Sequence, residues 1–122
     1  MGKEKKVVPA FASVIEIIRE ISNYEYQSHQ WVARENPKDY GCYENTIMYF
    51  LEDGEAVLNA RDTGRIEMTD SQYAMLKRLY DMVDGYDRSE KRPDDDKGIV
   101  DDPEWHKIRD YAKLVYKNLV EE

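Results

Sequence analysis

The side chains able to do chemistry in this sequence are carboxylates, two histidines and one cysteine, and the spacing that recurs among them is one helical turn. Glu16 and Glu20 are an i, i+4 pair, and a second acid-rich stretch carries Glu44, Glu52, Asp53 and Glu55. Carboxylates on adjacent helices can hold magnesium for hydrolysis of a nucleotide or phosphate ester, so Glu16, Glu20, Glu52 and Glu55 form one candidate metal set. Against it, their spacing follows no ligand motif, and Glu16 and Glu20 flank an apolar face. Asp102, His106 and Asp110 run i, i+4, i+8 and could bind a divalent ion. They lie opposite the apolar stripe of their helix, so exposed pairing is the expected reading, as it is for Glu25 and His29.

The most conspicuous stretch is KRPDDDKGIVDDPEW at 91–105. A calcium loop needs oxygen ligands at alternate positions and a glutamate at the twelfth. Asp94 and Asp96 fit the first and third positions, but the fifth is Gly98 and the twelfth is Trp105, so the motif fails twice. Arg88, Lys91, Arg92 and Lys97 also offset much of the local charge. The expected reading is a solvated loop between helices, tethered by Ile99 and Val100, whose Asp102 caps the next helix. Cys42 has no nucleophile signature around it and reads as a half-buried small residue. The six glycines are scattered, so no phosphate-binding loop is present. One cysteine and two histidines cannot make a zinc site without carboxylates. No catalytic residues and no cofactor are expected.

These residues must be positioned by helices. In the 122-residue chain, apolar side chains recur at spacings of three and four. Phe11, Val14, Ile15, Ile18 and Ile21 define a helix over about 9–22, after an N-terminal arm at 1–8 expected to be flexible. Ser22-Asn23 is a candidate break, and YEYQSHQWVAREN can be helical again up to Pro37. Ile47, Phe50, Leu51, Val57 and Leu58 mark a third helix, continuous or kinked at Gly54, with Gly64 as the pivot of the turn that follows. Thr69 with Gln72 is a capping box. It opens a helix with a stripe wide enough to be covered from two sides (Tyr73, Leu76, Leu79, Tyr80, Val83), which Gly85 is expected to end. Asp102-Pro103-Glu104 starts the last helix by cap, first-turn proline and dipole charge. Trp105, Ile108, Ala112, Val115 and Leu119 form its stripe, with His106, Arg109, Asp110, Lys113 and Lys117 facing away. No strand and no repeat is evident. The expected fold is all-α: a single-domain irregular bundle of four to five helices spanning 9–122.

Net charge is −8, distributed as 0 over residues 1–40, −5 over 41–84 and −3 over 85–122. Phosphate backbones repel such a surface, so nucleic acid is excluded as the expected partner. No apolar run reaches the roughly 18 residues of a membrane span. The start, MGKEKKVVPAF, lacks the apolar segment of a signal peptide, and Lys6 stands where myristoylation requires Ser or Thr. Together with the single cysteine, this makes a cytoplasmic protein the expectation.

Ten tyrosines stand against two phenylalanines. Tyrosine and tryptophan supply much of the binding energy at interfaces. Trp31, Tyr40 and Tyr43 flank one loop and are the expected surface patch, with Asp94, Asp95 and Asp96 as its acidic counterpart. DDDKGIV ahead of an aromatic-bearing last helix resembles the small acidic helical immunity proteins of nuclease bacteriocins. The likeness stops at that stretch: the paired tyrosines which those proteins carry on a preceding short helix are missing, and length and helix layout differ, so no residue role is carried over. The expected function is a non-catalytic module that binds and inhibits a basic protein partner. The magnesium-dependent hydrolase is the first alternative. A homodimer or other structural oligomer, built on the wide face of the helix at 70–84, is the second.

Overall fold

The computed structural model describes residues 9–121, so the expected arm at 1–8 lies outside the described residues. The chain forms six α-helices and one π-helical segment: α1 (Pro9–Ile21), α2 (Tyr24–Tyr26), the π-segment (Gln27–Val32), α3 (Tyr43–Asp62), α4 (Asp70–Asp87), α5 (Asp96–Asp101) and α6 (Pro103–Glu121). There is no strand among the described residues. The long helices α1, α3, α4 and α6 make the bundle: α3 packs on α1 and α4, and α6 packs on the same two from the other side. The all-α bundle expected from periodicity is what forms, with α2, the π-segment and α5 as short additions between the long elements.

Each long helix buries the centre of the stripe that its sequence spells, while Phe11, Ile15, Leu51, Tyr73 and Tyr80 stay half-buried at the flanks. Val14, Ile17, Ile18 and Ile21 are buried on α1, and Leu76, Leu79 and Val83 on α4. The whole stripe of α6, from Trp105 to Leu119, is buried as well. Burying each such side chain contributes roughly 1.5–3 kcal/mol relative to leaving it in water. Both α3 and α6 pack on α4, and the flanks of its wide stripe, Tyr73, Met75, Tyr80 and Met82, stay half-buried. The capping box forms in full, Gln72 N donating to Thr69 Oγ1 at 3.0 Å and Thr69 N to Gln72 Oε1 at 2.9 Å.

Three local expectations are corrected, and the open choice at Gly54 is decided. α4 does not stop at Gly85 but runs to Asp87, because Tyr86 is buried against Trp105 (ring centroids 5.4 Å apart) and its hydroxyl donates to Asp102 at 2.7 Å. That packing outweighs the helix penalty of about 1 kcal/mol at glycine. α3 is one continuous helix through Gly54, where the missing Cβ lets Tyr80 approach; a Cβ there would lie 3.1 Å from the ring. The stretch at 86–101 is not all loop: Asp95 caps the short helix α5, which buries Ile99 and Val100. Arg109 does not face away with its charged neighbours. It is buried, stacks over Tyr24 at 4.9 Å and points toward Gln27 Oε1 and Val100 O.

The break at Ser22-Asn23 forms as expected, with Asn23 Oδ1 accepting from Tyr26 N at 3.0 Å to cap α2. The chain then widens into the π-segment, seen in the i, i+5 bond from Ala33 N to Ser28 O at 3.1 Å. The segment turns Gln27, Gln30 and Trp31 into the interior. Gln27 Nε2 donates to the last carbonyls of α1, Glu20 O at 2.9 Å and Ile21 O at 2.7 Å. Its Oε1 accepts from Trp105 Nε1 at 3.0 Å. One buried amide thus joins α1, the π-segment and α6.

Replacing Gln27 with leucine keeps the volume but leaves Ile21 O and an indole N–H unpaired in the interior, with Glu20 O holding only its bond from Asn23 N at 3.2 Å. Urea unfolding of Gln27→Leu is expected to show a loss of about 2–4 kcal/mol. A loss below about 0.5 kcal/mol, the level of an ordinary surface substitution, would mean the amide is not a structural joint.

Candidate functional site: two acidic clefts beside one helix

The N-terminal half of α3 presents a continuous outward strip. Glu44, Met48, Tyr49 and Glu52 are exposed on it, with Asn45 partly so. Met48 and Tyr49 stand out as large apolar groups in water, each about half exposed. Cys42 caps this helix, its Sγ accepting from Asn45 N at 3.4 Å. On either side of the strip lies a cleft.

The first cleft, about 660 Å³, lies between α3, the end of α4 and the start of α5. Five carboxylates line it: Glu44 and Glu52 from α3, Asp87 from α4, and Asp94 and Asp96 from the approach to α5. One cation, Arg92, faces them. Arg92 lies over the Tyr43 ring at 5.1 Å and approaches Asp87 Oδ1 at 3.9 Å. Tyr43 sits at the base, its hydroxyl donating to Asp87 Oδ1 at 2.9 Å and its backbone N–H to Asp96 Oδ2 at 3.2 Å. Burial, then the bond to the charged Asp87, pushes the Tyr43 phenol far up, so it is a neutral donor at any physiological pH. Glu44, Glu52 and Asp94 have no ion-pair partner among the described residues. The cleft therefore keeps an uncompensated negative potential.

The second cleft, about 410 Å³, lies on the α1 side of the strip. The loop at 33–42 forms one wall, held by Gln30, whose Nε2 donates to Asn36 O at 3.0 Å and Asp39 O at 2.6 Å. Asp39 accepts from Tyr26 Oη at 3.0 Å and from Gly41 N at 2.7 Å. The close approach requires glycine at 41, because a Cβ there would lie 2.1 Å from the Tyr26 hydroxyl oxygen. Glu20 enters the same cleft from the last turn of α1. Desolvation, reinforced by the charge of Asp39, pushes its carboxyl above the usual range.

The expected patch residues fall in four environments. Trp31 and Tyr43 are not surface residues: both are in the core, where they meet edge to face at 6.0 Å and each contacts Trp105. Trp31 shares its inward face with Gln27 and Gln30, two polar residues that give no apolar stripe to announce its burial. Tyr40 is strongly exposed, at the rim of the second cleft. Asp94 and Asp96 line the first cleft, whereas Asp95 is engaged as the cap of α5, accepting from Gly98 N at 2.9 Å.

The candidate metal set does not assemble. Glu16 points to solvent and pairs with Arg19 at 2.9 Å, Glu20 faces the second cleft, Glu52 faces the first, and Glu55 lies toward Tyr80. Among the described residues, no three acidic, histidine or cysteine side chains are grouped to hold a metal ion. Asp102, His106 and Asp110 likewise go to separate partners: Tyr86 Oη, Val100 O and Lys113. His29 pairs with Glu25 at 3.5 Å as expected and also bonds Glu35, and the Glu35 bond and charge raise its pKa. No described helix is long and apolar enough to cross a membrane. Compared with protein-family models, curated proteins and solved structures, the chain matches none of them.

A carboxyl raised in the folded state favours folding at pH below its unfolded value, and that contribution disappears as pH rises through the folded value. Above that folded value Glu20 is ionised in both states and the fold bears its desolvation. Glu20→Gln is therefore expected to raise the melting temperature at pH 7 and to leave it unchanged near pH 3. A lower melting temperature at pH 7 would contradict the placement of this carboxylate.

Proposed function

We propose that this protein is a non-catalytic binding module that docks a basic polypeptide along the outward strip of α3, in the manner of an inhibitor or immunity protein masking a basic site. One observation carries the reading: the first cleft gathers five carboxylates against a single arginine beside an exposed methionine. Acidic walls draw lysine- and arginine-rich surfaces into encounter and fix their orientation. Met48 and Tyr49, flexible and amphipathic respectively, supply apolar contact area between the two acidic clefts. The net charge of −8 adds long-range attraction of the same sign. Dispersal of Glu16, Glu20, Glu52 and Glu55 leaves the hydrolase alternative without a metal centre on these residues.

The probe is a lysine- and arginine-rich peptide with interspersed leucines, set against its glutamate counterpart, with amide shifts followed by NMR. The basic peptide is expected to shift residues 44–52 and 87–96, with affinity falling about tenfold or more from roughly 0.05 to 0.5 M salt. The pair Glu44→Lys and Glu52→Lys should weaken it by a similar factor. Shifts scattered over the whole surface, or binding indifferent to both substitutions, would refute the docking strip.

A further inference from the structure

The second cleft is the smaller of the two and holds only two carboxylates, Glu20 and Asp39, set among three tyrosines. Asp39 is fixed in place by the Tyr26 hydroxyl and the Gly41 amide. Glu20 is half-buried, and its carboxylate has no hydrogen-bond or ion-pair partner among the described residues. Arg19, the nearest cation in sequence, is bonded to Glu16, and its charge offsets Glu20 less than Asp39 opposes it. Glu20 also sits in the last turn of α1, where the helix dipole adds negative potential. Tyr26, Tyr40 and Tyr49 line the same space, with Ile17 and Thr46 buried at its floor.

We infer that this cavity binds a single organic cation, an alkylammonium or alkylguanidinium group, with Glu20 as its ion-pairing carboxylate, Asp39 as a fixed second charge and the tyrosines around the alkyl stem. The chemistry follows from what the cavity lacks and what it offers. A half-desolvated carboxylate next to a second negative charge is stabilised by one cation between them. Tyrosine faces attract such cations and cover the methylenes behind them. The volume of about 410 Å³ lies in the range of small-ligand pockets and holds a chain of four carbons with its charged head. Two carboxylates are too few for a dehydrated divalent ion, which takes about six to eight oxygens. The inference goes beyond the docking strip on α3: it needs no large partner surface and stands on its own residues.

The test is an NMR titration of the full chain with butylammonium and butylguanidinium chlorides, with butanol and sodium butyrate as neutral and anionic counterparts. Both cations are expected to give saturable shifts confined to the end of α1 and residues 39–49, at about 1–30 mM. Glu20→Gln should weaken them at least tenfold. Glu16→Gln removes the same charge one turn away, outside the cavity, and should leave them unchanged. Butanol binding as tightly as the cations, or equal effects of the two substitutions, would overturn the site. Lysine- and arginine-containing peptides then assign the source of the cation. Competition by a peptide at lower concentration than the free cation identifies a protein side chain, and competition only by the free cation identifies a small molecule. A null result in the first peptide experiment with a positive result here would remove the docking strip and leave this site intact.

Discussion

The buried side-chain amide of Gln27 is the joint on which the arrangement depends. A glutamine amide has two N–H donors and a carbonyl oxygen with two lone pairs. Here both donors close the open end of α1, and the oxygen takes the indole N–H of Trp105 and approaches the Arg109 guanidinium. An amide in an apolar interior is tolerable only when it is satisfied in this way. The same bonds fix where α1 ends, and therefore where Glu20 emerges. They also fix how the π-segment turns, and therefore where Gln30 can reach.

Gln30 carries the constraint outward. Its amide donates to two loop carbonyls and accepts from Asn36 N at 3.0 Å, so the connection at 33–42 is pinned from inside. That pinning places Asp39, Tyr40 and Gly41 opposite α1 and α3. The second cleft is thus a product of this feature, a helix that widens by a residue per turn and sends two glutamines inward. π-helical turns often accompany functional sites because they re-aim side chains that an α-helix would leave outside. Here the re-aimed residues are interior polar joints, and the cleft they create is acidic.

Short-range chemistry was legible in the sequence. The capping box at Thr69 and Gln72 and the Asp102-Pro103 start are decided by residues three or fewer apart, and both form where the letters say. The apolar stripes of α1, α4 and α6 were legible for the same reason. The end of α4 was not, because a glycine signal was outweighed by Tyr86 packing on a tryptophan from another helix. Trp31 and Tyr43 were misplaced because their burial depends on the π-turn and on an aromatic group that includes Tyr86 and Trp105. The first cleft joins Glu44 and Glu52 to Asp87, Asp94 and Asp96, and only packing of α3 against α4 brings them together. Asp94 and Asp96 were singled out for their acidity, yet nothing local distinguished them from Asp95, which is engaged as a cap.

The most direct measurement of the central claim is native-state hydrogen exchange read at the Trp105 indole N–H and the Asn36 amide. The account predicts that the Trp105 indole exchanges only through global unfolding, because its acceptor is a fully engaged buried amide. Asn36 N–H should be slowed as well, against the fast exchange usual for an exposed loop. Exchange of both at the rate of an unstructured peptide would contradict the glutamine joint, and with it the placement of the second cleft.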